Sequence, residues 1–302
     1  VIPENKSIVL DLNGCKISAP YAEGSTTNHT YAFENHGVLT IKNTKGEGKI
    51  VARGNFNYGT MTLESGTIKA CDGNGGYGVR NYEGAEFVMN GGTVATIYED
   101  GDIPGEGYDA CPIRVDQGAK AEIKGGIINN VSNFTVAIDN YGETIVYDGT
   151  FTSVHTTLAN SAVMTINGGS FELMENPGVS DHCTYCVSVI KGGSFTLGNN
   201  TDCGAQVFCE STIANGYKAI EKDGKWVVVA TANDAASLAT AVAKGGVIVL
   251  EGDIALDETI VIPTGVTATL DLNGKAIVGR VPKSEGHVIE IRPGATLKVI
   301  GG

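Results

Sequence analysis

What the chain lacks narrows the field before any motif is considered. No run of 18 apolar residues occurs, so no segment reads as a membrane-spanning helix and membrane insertion is not expected. Lysine and arginine number only 21 against 34 acidic residues, leaving a net charge of −13; a phosphate backbone or an anionic lipid surface would be repelled, and nucleic acid is not an expected partner. Charged residues make up 18%, tryptophan occurs once, and no stretch longer than a few turns keeps a 3.6-residue apolar period. What is present is 42% hydrophobic side chains with 42 glycines, the balance of an ordered, turn-rich chain with enough apolar mass for a large core.

The apolar residues are organised by repetition. Asparagine recurs before a turn at Asn13, Asn35, Asn57, Asn81, Asn140 and Asn160, with Asp116 filling the one gap, in steps of 22, 22, 24, 35, 24 and 20 residues. A second column consists of glycine, usually Thr or Ser, then an apolar residue: Ile50, Ile68, Val94, Ile128, Phe151, Phe171 and Phe195. Between the columns, stretches such as Leu39-Thr-Ile41, Met61-Thr-Leu63 and Met164-Thr-Ile166 alternate apolar and polar as strands do. Short strands and glycine turns at a period near 22 residues fit an all-β parallel β-helix, each coil returning one strand spacing further along the axis. An antiparallel sandwich would show strands every 8 to 12 residues without one asparagine per 22. The asparagines are expected to stack as a ladder at the bends.

Phrases such as "IVLDLNGCKI", "YGTMTLESGTI" and "VMTINGGSF" resemble right-handed parallel β-helices of the pectin-lyase-like class, found in bacterial surface proteins and in phage fibres and tailspikes. The resemblance implies the fold along nearly the whole chain. It leaves function open, because lyases, hydrolases, adhesins and inert stalks share the architecture.

Residues 1–18, "VIPENKSIVLDLNGCKIS", match 261–278, "VIPTGVTATLDLNGKAIV", without a gap. Ahead of the second copy, Asn233 or Asp234 can cap a helix with Leu238 and Val242 on one face and Gly245 at its end. Upstream again, 216–229 reads as a hairpin turning at Asp223-Gly224 and carrying Trp226. The expected organisation is a β-helix module over 1–229, its N-terminal cap missing and its C-terminal end closed by the hairpin, followed at 230–302 by a capping helix and the first coils of a second module. That pattern reads as a fragment of a longer tandem array.

Candidate chemistry gathers in three places. The 35-residue step holds an acidic insertion between Thr96 and Cys111, with Glu99, Asp100, Asp102, Glu106, Tyr108 and Asp109 followed by Arg114 and Asp116; these are the expected ligand-binding residues. No cofactor is expected, although calcium is an ion that such oxygen ligands could take; the spacing matches no EF-hand or glycine-rich calcium repeat. Cys183, Cys186, Cys203 and Cys209 cluster beside His182, with Cys15, Cys71 and Cys111 scattered; disulfides, buried thiols and a weakly matched zinc site all remain open. Carboxylates on adjacent coils, Asp116 with Asp139 for instance, could form a sugar-cleaving pair. None of the strings that mark polygalacturonases or pectate lyases is present. The expectation is therefore a non-enzymatic extracellular array on a cell or virion surface, binding a glycan or host partner. A carbohydrate-active enzyme and a purely architectural virion or filament component, the latter as a homo-oligomer, are the alternatives.

Overall fold

A computed structural model of the chain describes residues 1–19, 30–70, 76–96, 110–131, 136–153, 156–173, 188–196, 213–281 and 286–302. Two compact units are present: Val1–Thr212 with Asp223–Lys225, and Ile213–Lys222 with Trp226–Gly302.

The first unit is a parallel β-helix with three strands per coil. A representative coil runs through Thr60–Leu63, Thr67–Ala70 and Tyr77–Asn81. Up to Thr156–Asn160, each strand pairs in parallel with the strand three earlier and the strand three later. The first sheet accordingly stacks from Ser7–Asp11 to Ser188–Ile190, the second from Lys16–Ser18 to Ser194–Thr196, and the third from Tyr31–Asn35 to Thr156–Asn160. Segments 20–29, 71–75, 97–109, 132–135 and 154–155 all lie, in chain order, between a second-sheet strand and the third-sheet strand that follows.

The second column of the sequence is one continuous inward stack. Ile17, Ile50, Ile68, Val94, Ile128, Phe151, Phe171 and Phe195 are consecutive register partners along the second sheet. From Ile50 onward all are buried. Phe171 stacks on Phe151 at 4.5 Å and on Phe195 at 4.7 Å between ring centroids. The glycine ahead of this column turns the corner from the first sheet. Gly66, Gly92, Gly126, Gly149, Gly169 and Gly193 all take positive φ, between 78° and 130°, where a side chain would be strained.

The asparagine ladder is shorter than the sequence suggests. It comprises Asn35, Asn57, Asn81, Asn140 and Asn160, each ending a third-sheet strand with its side chain buried. Asn13 lies at a different corner, between the first and second sheets. With Asn13 at φ 48° and Gly14 at φ 80°, it forms a tight turn of the Asn-Gly kind, and the register partner of Asn35 on the N-terminal side is Ile2. Asp116 is likewise displaced by one position. Val115 pairs with both Asn81 and Asn140, so a buried valine occupies the ladder and Asp116 points outward from the next turn.

In the second unit, strands Lys225–Ala232, Gly246–Leu250, Thr267–Asp271 and Thr296–Ile300 form one parallel sheet. The Asp223-Gly224 hairpin turn has φ of 52° and 72° at its two residues, as a two-residue connection with the twist of its strands requires. Both hairpin strands belong almost wholly to this unit, in which Ala230, Thr231 and Ala232 pair with Ile248, Val249 and Leu250. The duplicated coil keeps its geometry: Asp271 Oδ1 accepts from the Asn273 N–H at 2.9 Å with Asn273 at φ 48°, as Asp11 does from Asn13 at 3.0 Å.

The helix Ala235–Lys244 carries Leu238, Ala241 and Val242 into the second unit's core with Ile248, Leu250, Ile262 and Leu270. Asp234 accepts from the Ser237 N–H while Ser237 Oγ accepts from the Asp234 N–H, a reciprocal cap, and Gly245 ends the helix at φ 81°.

Two measurements test this packing. Phe171→Ala removes the middle ring of the stack and is expected to cost about 3–5 kcal/mol in denaturant unfolding, whereas a loss under about 1 kcal/mol would contradict tight packing there. The hydrogen bonds from Ser237 lower the Asp234 pKa, so its contribution to stability is present above the unfolded-state value and is lost as pH falls through the folded one. Asp234→Asn, which still caps, should flatten this acid-side loss in thermal melts between pH 5 and about pH 2; an unchanged pH profile would show that the cap is not linked to folding.

Candidate binding face on the third sheet

Because side chains alternate along a strand, fixing the last residue of each third-sheet strand inward turns the residue before it outward. That outer row runs Glu34, Phe56, Arg80, Arg114, Asp139 and Ala159 in register. The residue after the ladder position forms a second row at the corner: His36, Tyr58, Tyr82, Asp116, Tyr141 and Ser161. Each donates its N–H to the ladder-position carbonyl of the preceding coil, for example Tyr82 to Asn57 at 2.9 Å and Asp116 to Asn81 at 2.8 Å.

The two rows interlock. His36 stacks on Tyr58 at 4.7 Å and Tyr58 on Tyr82 at 4.3 Å, with ring planes within 9° of parallel. Phe56 meets Tyr82 edge to face at 5.6 Å and Tyr31 at 4.1 Å. Asp116 stands where the next ring would be, and two guanidinium groups close on it. Arg80 Nε donates to Asp116 Oδ2 at 2.8 Å, Arg114 Nε donates to Asp116 Oδ1 at 2.8 Å, and Arg114 Nη1 donates to Asp139 Oδ2 at 2.9 Å. The guanidinium groups also cover ring faces: Arg80 lies 4.5 Å from the Tyr82 centroid and 5.3 Å from that of Tyr77, and Arg114 lies 4.7 Å from that of Tyr141.

Titration properties follow from this crowding. Burial raises the Asp139 carboxyl pKa; the Arg114 charge opposes the shift and Asp116 adds to it. Burial works against the Arg114 cation, yet its hydrogen bond to Asp116 and the charge of Asp139 outweigh that and raise its pKa further. The Tyr82 phenol is pushed up to about 12, by burial first, with the Arg80 charge opposing and a hydrogen bond with Tyr58 adding.

Asp116 and Asp139 are thus neighbours, as proposed for a sugar-cleaving pair, but both are held by Arg114. Such carboxylates are poorly placed to shuttle protons and well placed to fix two arginines. Of the expected ligand-binding residues, Arg114 and Asp116 meet in this network, while Glu99, Asp100, Asp102, Glu106, Tyr108 and Asp109 lie outside the described residues. The ends of that insertion are placed, with Thr96 closing a second-sheet strand and Cys111 opening a third-sheet strand. Cys71, Cys183, Cys186, Cys203, Cys209 and His182 also lie outside. Cys111 is a buried free thiol whose pKa burial raises, and Cys15 is free and exposed. Among the described residues no three His, Cys, Asp or Glu side chains converge as a metal site, and no helix is long and apolar enough to cross a membrane.

Arg80, Tyr77, Tyr82 and Tyr141 escaped the reading of the sequence. The signal was present in the dipeptides Asn-His and Asn-Tyr at 35–36, 57–58, 81–82 and 140–141, where an aromatic residue follows every ladder asparagine but Asn160.

The fold and this face define a parallel β-helix with an arginine–tyrosine–aspartate surface on one sheet. No family model, curated protein or solved structure matches the chain.

Asp116→Ala strips two guanidinium groups of a shared, mostly buried carboxylate and is expected to lower stability by about 2 kcal/mol in urea unfolding. Asp116→Asn, which keeps one acceptor, should lose less. Equal and negligible losses would show the network to be screened by solvent.

Proposed function

We propose that the chain is a non-enzymatic, extracellular β-helical module, displayed on a cell or virion surface, that holds a glycan or host partner on the outer face of the third sheet. One observation carries this reading. The described outward face gathers the rings of Tyr31, His36, Phe56, Tyr58 and Tyr82, two guanidinium groups and two aspartates on a sheet whose register is fixed from within. Polar edges held at fixed spacing on a rigid surface suit hydroxyl-rich ligands, since little order has to be imposed on binding. The likeness of the coil sequences to pectin-lyase-like surface proteins, fibres and tailspikes agrees with it, as does recurrence of one coil at 1–18 and 261–278, since copy number adds avidity. The acidic composition disfavours nucleic acid.

A second reading, a polysaccharide hydrolase or lyase, draws on the adjacency of Asp116 and Asp139 and on the raised Asp139 pKa. The ion pairs to Arg114 weigh against it.

A glycan array probed with the full chain tests the first reading. The expected result is retention of a subset of glycans, with Arg114→Gln and Tyr141→Ala each weakening it about tenfold or more at unchanged circular dichroism. No retained glycan would overturn the reading, and new reducing ends or unsaturated products from a retained polysaccharide would replace it with the enzymatic one.

A further inference from the structure

The two arginines of the network are not equivalent. Arg114 spends Nε on Asp116 and Nη1 on Asp139. Arg80 spends only Nε, on Asp116. Neither Nη of Arg80 donates to a protein acceptor among the described residues, and neither is among the buried polar atoms that lack a partner, so its terminal N–H fork meets solvent; the side chain as a whole is 28% exposed.

That fork is also held in place. Tyr82 and Tyr77 flank the guanidinium at 4.5 and 5.3 Å, and the shared carboxylate fixes its Nε edge, so the rotamer freedom that binding would otherwise remove is already lost on folding. The charge is incompletely matched as well, because Asp116 is divided between two cations and Asp139 faces Arg114. A planar pair of donors on a partly unbalanced cation is the recognition element for a carboxylate or sulfate.

We propose that the terminal N–H fork of Arg80 binds an acidic group, carboxylate or sulfate, carried by a glycan lying along the third sheet. This rests on the glycan-binding reading above and narrows it to acidic glycans. The net charge of −13 sets a further limit: acidic groups spaced along the ligand are tolerated, whereas a dense polyanion is repelled.

The experiment pairs each acidic glycan on an array with its carboxyl-reduced or desulfated counterpart and probes both with the full chain, with Arg80→Lys and with Arg80→Gln. Sodium sulfate titrated into the wild-type chain at constant ionic strength, followed through the Arg80 ε N–H resonance, reads the site directly without a glycan. The expected result is at least about tenfold preference for the acidic member of a pair, reduced about tenfold by Arg80→Lys, which keeps the charge and loses the fork, and abolished by Arg80→Gln, with a saturable shift of the resonance by sulfate. Glycans bound equally before and after reduction, or an acidic preference that survives Arg80→Gln, would overturn this inference and leave glycan binding intact. A chain that retains no glycan would overturn both.

Discussion

Each coil must come back into parallel register with the one before it, and every other feature of the first unit answers to that requirement. A strand that pairs with its third predecessor and its third successor satisfies its backbone groups only if the three turns between them consume a consistent path. Inward positions then see the same environment in every coil. A column that begins with isoleucine can therefore continue with valine or isoleucine and end in three stacked phenylalanines without any strand changing its pairing. Extra residues can leave the coil only where they do not break the pairing, and the lengths between strands differ even within one coil: residues 43–48 separate Val38–Lys42 from Lys49–Ala52, while Arg53 alone separates Lys49–Ala52 from Gly54–Asn57.

The corner from the third sheet to the first is held by buried amides. Asn35 Nδ2 donates to Asn57 Oδ1 at 2.8 Å, Asn57 to Asn81 at 2.6 Å, and Asn140 to Asn160 at 2.7 Å. Asn35, Asn57, Asn81 and Asn140 also donate forward to a first-sheet carbonyl, as Asn57 does to Glu86 and Asn140 to Val163. Val115 interrupts the row, and its neighbours adjust to it. Asn81 Nδ2 keeps only the forward bond, to the Lys120 carbonyl at 2.6 Å, and one to its own coil's Ala85 carbonyl at 3.2 Å, while Asn140 Oδ1, lacking a donor from the coil before, accepts from the buried Thr144 hydroxyl at 2.8 Å. With the Gly142 N–H at 3.2 Å also donating to it, the Asn140 oxygen is satisfied from within its own coil.

These details mark the limit of what the residues alone disclose. Period, fold class and the phenylalanine stack were legible because burial constrains side-chain type at every coil. The helix and its caps were legible because a terminal N–H needs a local oxygen. Asn13 and Asp116 were misplaced because asparagine has two uses that look alike as letters, an inward amide and a left-handed turn residue. The distinction lay in the glycines. Asn13 precedes Gly14 directly, whereas ladder asparagines such as Asn35, Asn57 and Asn140 are separated from their glycine; aligning Gly84 with Gly118, both at φ near 79°, places Val115 opposite Asn81. The arginine–tyrosine–aspartate face was harder to see, because its residues come from two rows on successive coils and only the aromatic row follows the ladder asparagines directly.

The ion network follows from the same stacking. Rings one coil apart cover each other's faces, as His36, Tyr58 and Tyr82 do. Asp116 breaks that succession and would leave the facing sides of Tyr82 and Tyr141 open to water. Outer-row arginines on its own coil and the coil before are the side chains long enough to lie over those faces, and the aspartate that made the break supplies the charge that draws both of them in. Asp139, one coil further on, then satisfies one arginine and not the other. The asymmetry of the face is thus a consequence of position: the column order Arg80, Arg114, Asp139 places a carboxylate beyond the second guanidinium and none before the first, where Phe56 stands instead.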